Sequence, residues 1–223
     1  MAGGFLRRKQ LNGFVDRTDA GHALAAALSE RLPDVHGADV VVIGLARGGV
    51  PVAAVVAQEL HAKLDVAVVR KLGVPGHEEL ALGAISRTRM ILNHSLVTDL
   101  GITPDDIDAV AVRELRELER RENLYRQGRP PMEVTGHTVV LVDDGVATGA
   151  SMHVAALAVR DAEPARLVVA VPTGPSIVTG LFPDCADHVV CVQTPDPFLA
   201  VGLSYRDFDQ VDDAAVAAAL GSV

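Results

Sequence analysis

The chain has 223 residues and a formal net charge of −9 at neutral pH. Nucleic acid demands a basic surface, so this balance argues against it as the main partner, while a small anion held by local N–H groups and a few arginines stays within reach. Hydrophobic residues reach 49%, but Ala and Val supply them in short runs, none near the length of a membrane span, and the opening MAGGFLRRKQLNGF has no apolar stretch of signal-peptide length. A cytoplasmic α/β chain, one domain over residues 1–223, is the expectation.

In chain order, Phe14, Val15, Asp16 and Arg17 lead into a predicted helix over residues 18–32, with Leu24, Ala27, Leu28 and Leu32 on one face. Residues 39–45 form the first apolar run, read as a strand. Ala46, Arg47, Gly48 and Gly49 follow, then a helix over residues 50–60. Adjacent glycines let a backbone approach a ligand closely. By themselves they also suit an ordinary strand–helix turn, but the C-terminal edge of a parallel strand is where open α/β sheets keep their ligand crevice.

Residues 64–69 read as the second strand. Residues 70–79, which gather Arg70, Lys71, Gly73, Pro75, Gly76, His77, Glu78 and Glu79, read as a mobile polar loop rather than core. Residues 80–85 and 90–92 then read as an antiparallel hairpin. His94 and Asp99 are surface residues on this reading. Thr103, Pro104, Asp105 and Asp106 make a strong helix start, and the helix runs to about Tyr125. Ile107, Ala111, Leu115, Leu118 and Tyr125 line one side. Arg113, Glu117 and Arg121 mark the other, which reads as a solvated face or dimer contact.

Residues 139–142 are four apolar, mostly β-branched positions, read as a strand buried on both faces. Asp143 and Asp144 stand at its end, and Gly145, Thr148, Gly149 and Ser151 precede an Ala-rich helix. Such a turn aims backbone N–H groups and hydroxyls at one point, with the positive end of a helix dipole behind them, which suits a phosphate. Carboxylates repel phosphate. They suit sugar hydroxyls, or a metal held between hydroxyls and water. A phosphorylated sugar is the implied ligand.

This run resembles the motif of type I phosphoribosyltransferases that binds 5-phosphoribosyl 1-pyrophosphate (PRPP): four apolar residues, two acids, two variable positions, then a small-Thr-Gly-x-Ser/Thr loop. With a loop read as Arg70, Lys71, Leu72 and Gly73 and a charged helix, the chain is similar to a bacterial subgroup without a generally assigned substrate. The resemblance implies several roles. Ala147, Thr148, Gly149, Ala150 and Ser151 would hold the 5′-phosphate. Ala46, Arg47, Gly48 and Gly49 would hold pyrophosphate, with a cis peptide at Ala46–Arg47. Asp143 and Asp144 would serve the ribose and, indirectly, Mg²⁺. Arg70 and Lys71, with His77 behind them, would sit on a flexible lid at about residues 70–93 that closes over PRPP. Mg²⁺ would be the cofactor and a purine- or pyrimidine-like base the acceptor; dimers are common among the relatives. A regulatory module that binds PRPP or a nucleotide without turnover is the alternative.

Beyond the phosphate loop, residues 167–171 and 188–192 read as strands. The alternation of strands and helices predicts an α/β fold, a parallel sheet with helices on both faces, over a core at about residues 14–193. Aromatic residues are only 3% of the chain, yet Phe198, Tyr205 and Phe208 gather in a tail at about residues 194–223, which the resemblance casts as a hood over the acceptor. Tyr205 or Phe208 stacking on a base competes there with a small core that fastens the hood. A final helix over residues 212–220 serves packing or dimerisation. Cys185 and Cys191 flank a predicted strand without metal-ligand partners at suitable spacing, and read as structural thiols.

Overall fold

The computed structural model describes residues 13–221; the opening segment and the last two residues of the predicted hood lie outside them. The first half runs α1 (Arg17–Arg31), β1 (Val40–Leu45), α2 (Gly49–Glu59), β2 (Lys63–Ala67), β3 (Arg70–Val74), β4 (His77–Ile85), β5 (Met90–Leu92) and α3 (His94–Asp99). The second runs α4 (Pro104–Arg126), β6 (Thr138–Val142), α5 (Ala150–Arg160), β7 (Arg166–Thr173), β8 (His188–Gln193) and α6 (Asp213–Gly221).

Five of these strands pair in parallel, in the order β2-β1-β6-β7-β8. Alternate residues of each strand point to opposite faces. Val40, Val42, Val140, Val142, Val168 and Ala170 pack under α1, α2 and α6. Val41, Ile43, Leu45, Val139, Leu141 and Val169 pack under α5. Helices therefore cover both faces, as the hydrophobic runs require, and each fully buried Val or Leu contributes roughly 1.5–3 kcal/mol.

The predicted loop at residues 70–79 needs correction. Residues 70–74 are β3, residues 77–79 begin β4, and only Pro75 and Gly76 turn between them; β5 completes an antiparallel three-stranded sheet. Leu72 and Val74 are buried with Leu82 and Ile85 against Val110 and Ala111 of α4. Gly and Pro around them hid a two-residue period, which a register shift at Gly73 further interrupts.

α4 starts with a full capping box, Thr103 and Asp106 each closing the other's open donor. Its polar side was underestimated: Glu114 and Glu122 are buried. Among the described residues α6 packs on α4, where the Tyr125 hydroxyl donates to Asp213 Oδ1 at 2.7 Å. The Ala46–Arg47 peptide is cis, as the family resemblance implied. His94 and Asp99 are exposed.

Candidate active site

β1 and β6 lie side by side, but the chain leaves β1 for α2 on one face and leaves β6 for α5 on the other. The two turns separate at the carboxyl ends of their strands and open a crevice there. They also touch. A Cβ placed on Gly48 would stand 2.0 Å from Asp144 Oδ2, and one on Gly49 would stand 2.7 Å from the Val142 carbonyl oxygen. The glycine pair is thus fixed by contact with the acid pair, a physical requirement that the turn's sequence does not disclose.

Asp143 and Asp144 are both half-buried. Asp143 Oδ1 accepts the Asp144 amide at 2.9 Å. Burial, followed by the charge of Asp144, pushes the Asp143 carboxyl well above the usual carboxylate range. Burial also raises Asp144, and Arg17 pulls it back. Arg17 donates to Asp144 Oδ2 through Nε at 2.9 Å and Nη2 at 2.8 Å. Its Nη1 donates to the Asp209 carbonyl at 2.8 Å, and its guanidinium lies 4.0 Å over the Phe208 ring.

In the turn after β6, the Val146 amide donates to the Thr173 carbonyl at 2.9 Å. The amides of Ala147, Thr148, Gly149, Ala150 and Ser151 have no acceptor among the described residues. Gly149 takes a φ of 82° at the N-cap of α5, a left-handed conformation glycine accepts without cost. Ala147, Thr148 and Ala150 are exposed. The result is a nest of donors at a helix N-terminus.

A cleft of about 460 Å³ runs from Ser151 past Ala46 and Arg47 to Arg70 and Lys71. Arg70 is not free in it: Nε and Nη2 bind Glu114 Oε2 at 2.9 and 2.8 Å. Lys71 and His77 are exposed. Arg113 and Arg121 of α4 join the same wall, so the face read as solvated or as a dimer contact borders the cleft. A second opening of about 340 Å³ is lined by Arg17, Arg47, Gly48, Asp144, Phe208 and Gln210.

Tyr205 does not offer a face for stacking. It is buried between Phe14 and Phe208, with ring centroids 5.4 and 4.8 Å away, and its hydroxyl donates to the Asp144 carbonyl at 2.5 Å. The aromatic tail is a small core that fastens the hood to the acid pair. Phe208 keeps partial exposure, and Arg17 already occupies one of its faces.

Arg17 was missed as a site residue, since 127 positions separate it from Asp144. One signal was available: a cation in the first turn of a helix opposes the dipole and calls for a partner elsewhere. Glu114, Arg113 and Arg121 gave none, because spacing along α4 cannot say which element covers it.

The crevice, the acid pair and the open nest define a protein of the phosphoribosyl transferase class. The family model for the phosphoribosyl transferase domain matches residues 15–179, and the chain belongs to that family. It is 47% identical over 208 residues to the Mycobacterium tuberculosis protein named "Putative phosphoribosyl transferase", in strains H37Rv and CDC 1551. That match takes in 93% of this chain and 46% of the relative, so the chain spans about half the length of the curated relatives it matches. The crystal structure of TT1426 from Thermus thermophilus is 42% identical, with a TM-score of 0.76 over 93% of this chain and 97% of that one. A Neisseria gonorrhoeae hypothetical protein solved with bound ppGpp, 10% identical with a TM-score of 0.51 over 94% of this chain and 95% of its own, shares the fold alone. Among the described residues, no helix is long and apolar enough to cross a membrane.

Proposed function

We propose that this site moves the 5-phosphoribosyl group of PRPP to a ring nitrogen of a purine- or pyrimidine-like base and releases pyrophosphate. The observation that carries the reading is the contact of Gly48 and Gly49 with Asp144 and Val142. It sets a close-approach backbone turn, the acid pair and the donor nest around one crevice. The amides of residues 147–151 would take the 5′-phosphate, and Ala46, Arg47, Gly48 and Gly49 the pyrophosphate, with Arg70 and Lys71 at its outer end. The carboxylates of Asp143 and Asp144 would accept the ribose hydroxyls.

Mg²⁺ fits this donor set. The Asp143 and Asp144 carboxyls would supply hard oxygens, and a cation beside them would favour the ionised form that burial disfavours. When bound, Mg²⁺ neutralises leaving-group charge. As the bond from C1 to pyrophosphate lengthens, positive charge grows on the ribose ring. Asp143 and Asp144 stabilise that charge more in the transition state than in the ground state. The growing cation also favours the ionised form of Asp143, which burial otherwise disfavours. The acceptor would enter through the opening by Phe208 and Gln210, which Asp144 also lines.

The test is incubation with PRPP, Mg²⁺ and a panel of purine and pyrimidine bases. Pyrophosphate should appear only with the right base. Release of inorganic phosphate without any base would refute the transfer. The hold of Arg17 on Asp144 favours one rival, a regulatory module that binds PRPP or a nucleotide without turnover. PRPP binding by calorimetry, with no pyrophosphate from any base, would decide for it.

A further inference from the structure

On the far side of the phosphate loop, three side chains with three different donor atoms converge. His153 stands in the first turn of α5, while Asp184 and Cys185 lie between the 3₁₀ turn Val178–Gly180 and β8. His153 Nε2 is 3.0 Å from both carboxylate oxygens of Asp184. With Cys185 Sγ included, the ligand atoms all lie within 4.8 Å of one another. Cys185 is buried, whereas the side chains of His153 and Asp184 are 31% and 55% exposed. The thiol forms a floor, and the other two form a mouth open to solvent.

The segment that carries the pair is held in place without any ion. Arg160, further along α5, donates to the Cys185 carbonyl through Nε at 3.0 Å and Nη2 at 2.7 Å, and Nη2 also reaches Asp187 Oδ2 at 2.8 Å. Phe182 is buried beside Cys185 in the core under α5. The cost of ordering the ligands is therefore largely met by the fold. Residue spacing concealed this, because one ligand lies on a helix and two on a distant connection. Cys185 does gain partners, and Cys191 lies inside β8 rather than beside it.

We propose that His153, Asp184 and Cys185 form a binding site for a transition-metal ion of the zinc type, with water as the fourth ligand. One imidazole nitrogen, one carboxylate oxygen and one thiolate suit Zn²⁺, whereas Mg²⁺ and Ca²⁺ prefer oxygen alone. With bonds of about 2.0–2.3 Å, the ligands of a tetrahedral zinc stand roughly 3.3–3.7 Å apart. The His153–Asp184 pair at 3.0 Å needs to open by a few tenths of an ångström, and the widest pair of the set, within 4.8 Å, to close by about 1 Å. As the metal–sulfur bond forms, the Cys185 thiol proton passes to water, so uptake releases one proton and tightens as pH rises.

The site is distinct from the acid pair, and its role is mechanical. Leu181 and Phe182 stand 3.3 Å from where a Gly149 side chain would begin, so the segment that carries Asp184 and Cys185 also walls the phosphate loop. A metal there staples that wall to the helix whose first turn is the loop.

The experiment uses the full chain, freed of metal with a chelator and titrated with Co²⁺, a visible substitute for Zn²⁺. Wild type should develop a thiolate-to-cobalt charge-transfer band and tetrahedral visible bands that saturate at one equivalent and vanish when Zn²⁺ is added. Cys185→Ser should lose the charge-transfer band, Cys191→Ser should keep it, and His153→Gln should weaken binding at least tenfold. Zn²⁺ should raise the melting temperature of wild type by several degrees and that of His153→Gln by clearly less at the same concentration. No band in wild type, a band that survives Cys185→Ser, or one lost in Cys191→Ser would overturn the proposal. Should Cys185→Ser fail to fold, the half-exposed His153→Gln variant decides alone.

Discussion

The crevice between β1 and β6 and the antiparallel sheet β3-β4-β5 both carry predicted site residues, but different forces hold them. In the crevice, backbone meets carboxylate with no room for a methyl group. In the antiparallel sheet, a small core packed against α4 is edged by ion pairs, Arg70 with the buried Glu114 and Arg113 with the exposed Glu78. Steric contact fixes distances to fractions of an ångström. Ion pairs near water are worth little and exchange partners readily. The crevice is held by steric contact, whereas the sheet beside it rests on its core, on the Arg70 pair with buried Glu114 and, at the rim, on a weak exposed pair.

Gly48→Ala should produce the largest effect. The new methyl falls 2.0 Å from Asp144 Oδ2, so either the carboxylate or the turn must move. A displacement of about 1 Å at a reacting centre costs roughly a hundredfold, and pyrophosphate release under saturating PRPP should fall by about that factor. Turnover within twofold of wild type would show that steric contact does not fix the crevice. Next comes Asp144→Asn, which keeps the shape and removes the charge. Turnover should drop about tenfold or more if the carboxylate stabilises a cationic ring. A variant with normal turnover would remove Asp144 from that role.

Asp143→Asn should improve stability while harming activity. In the folded chain the Asp143 carboxyl titrates well above its ordinary value because it is buried beside Asp144. A raised acid contributes stability that is fully present below the unfolded value, near 3.9, and is lost as pH rises through the folded value. At neutral pH the wild-type crevice therefore carries an electrostatic penalty that Asn removes. Urea unfolding should show Asp143→Asn more stable by about 1 kcal/mol at pH 7, with the gain shrinking to nothing near pH 3. A constant difference across that window would place the gain outside ionisation.

The same contrast explains what the sequence disclosed. Parallel strands buried on both faces announce themselves as unbroken Val and Ile runs, and the turn after β6 carries an ordered set of acids, glycines and hydroxyls; both were legible. β3 was not, because Leu72 and Val74 are separated by a glycine at a register shift and surrounded by turn-forming residues. Arg17 and Glu114 were invisible as site residues for another reason. Each acts across the fold, on Asp144 and Arg70 respectively, and a charge in sequence does not say what faces it. Tyr205 shows the converse, an aromatic whose composition suggested a ligand and whose neighbours made it core.

The smallest effect should come from Glu114→Gln. Glu114 is buried, and it binds the Arg70 guanidinium proposed to meet the pyrophosphate. Glutamine keeps the shape and one hydrogen bond but releases a unit of positive charge toward the pyrophosphate side. The Michaelis constant for PRPP should fall about two- to fivefold, with the gain fading as salt screens it. Arg70→Met should move the same constant upward. If both variants raise it, Glu114 is not a competitor but the strut that holds Arg70 in its working position, and the antiparallel sheet would then share the fixed geometry of the crevice.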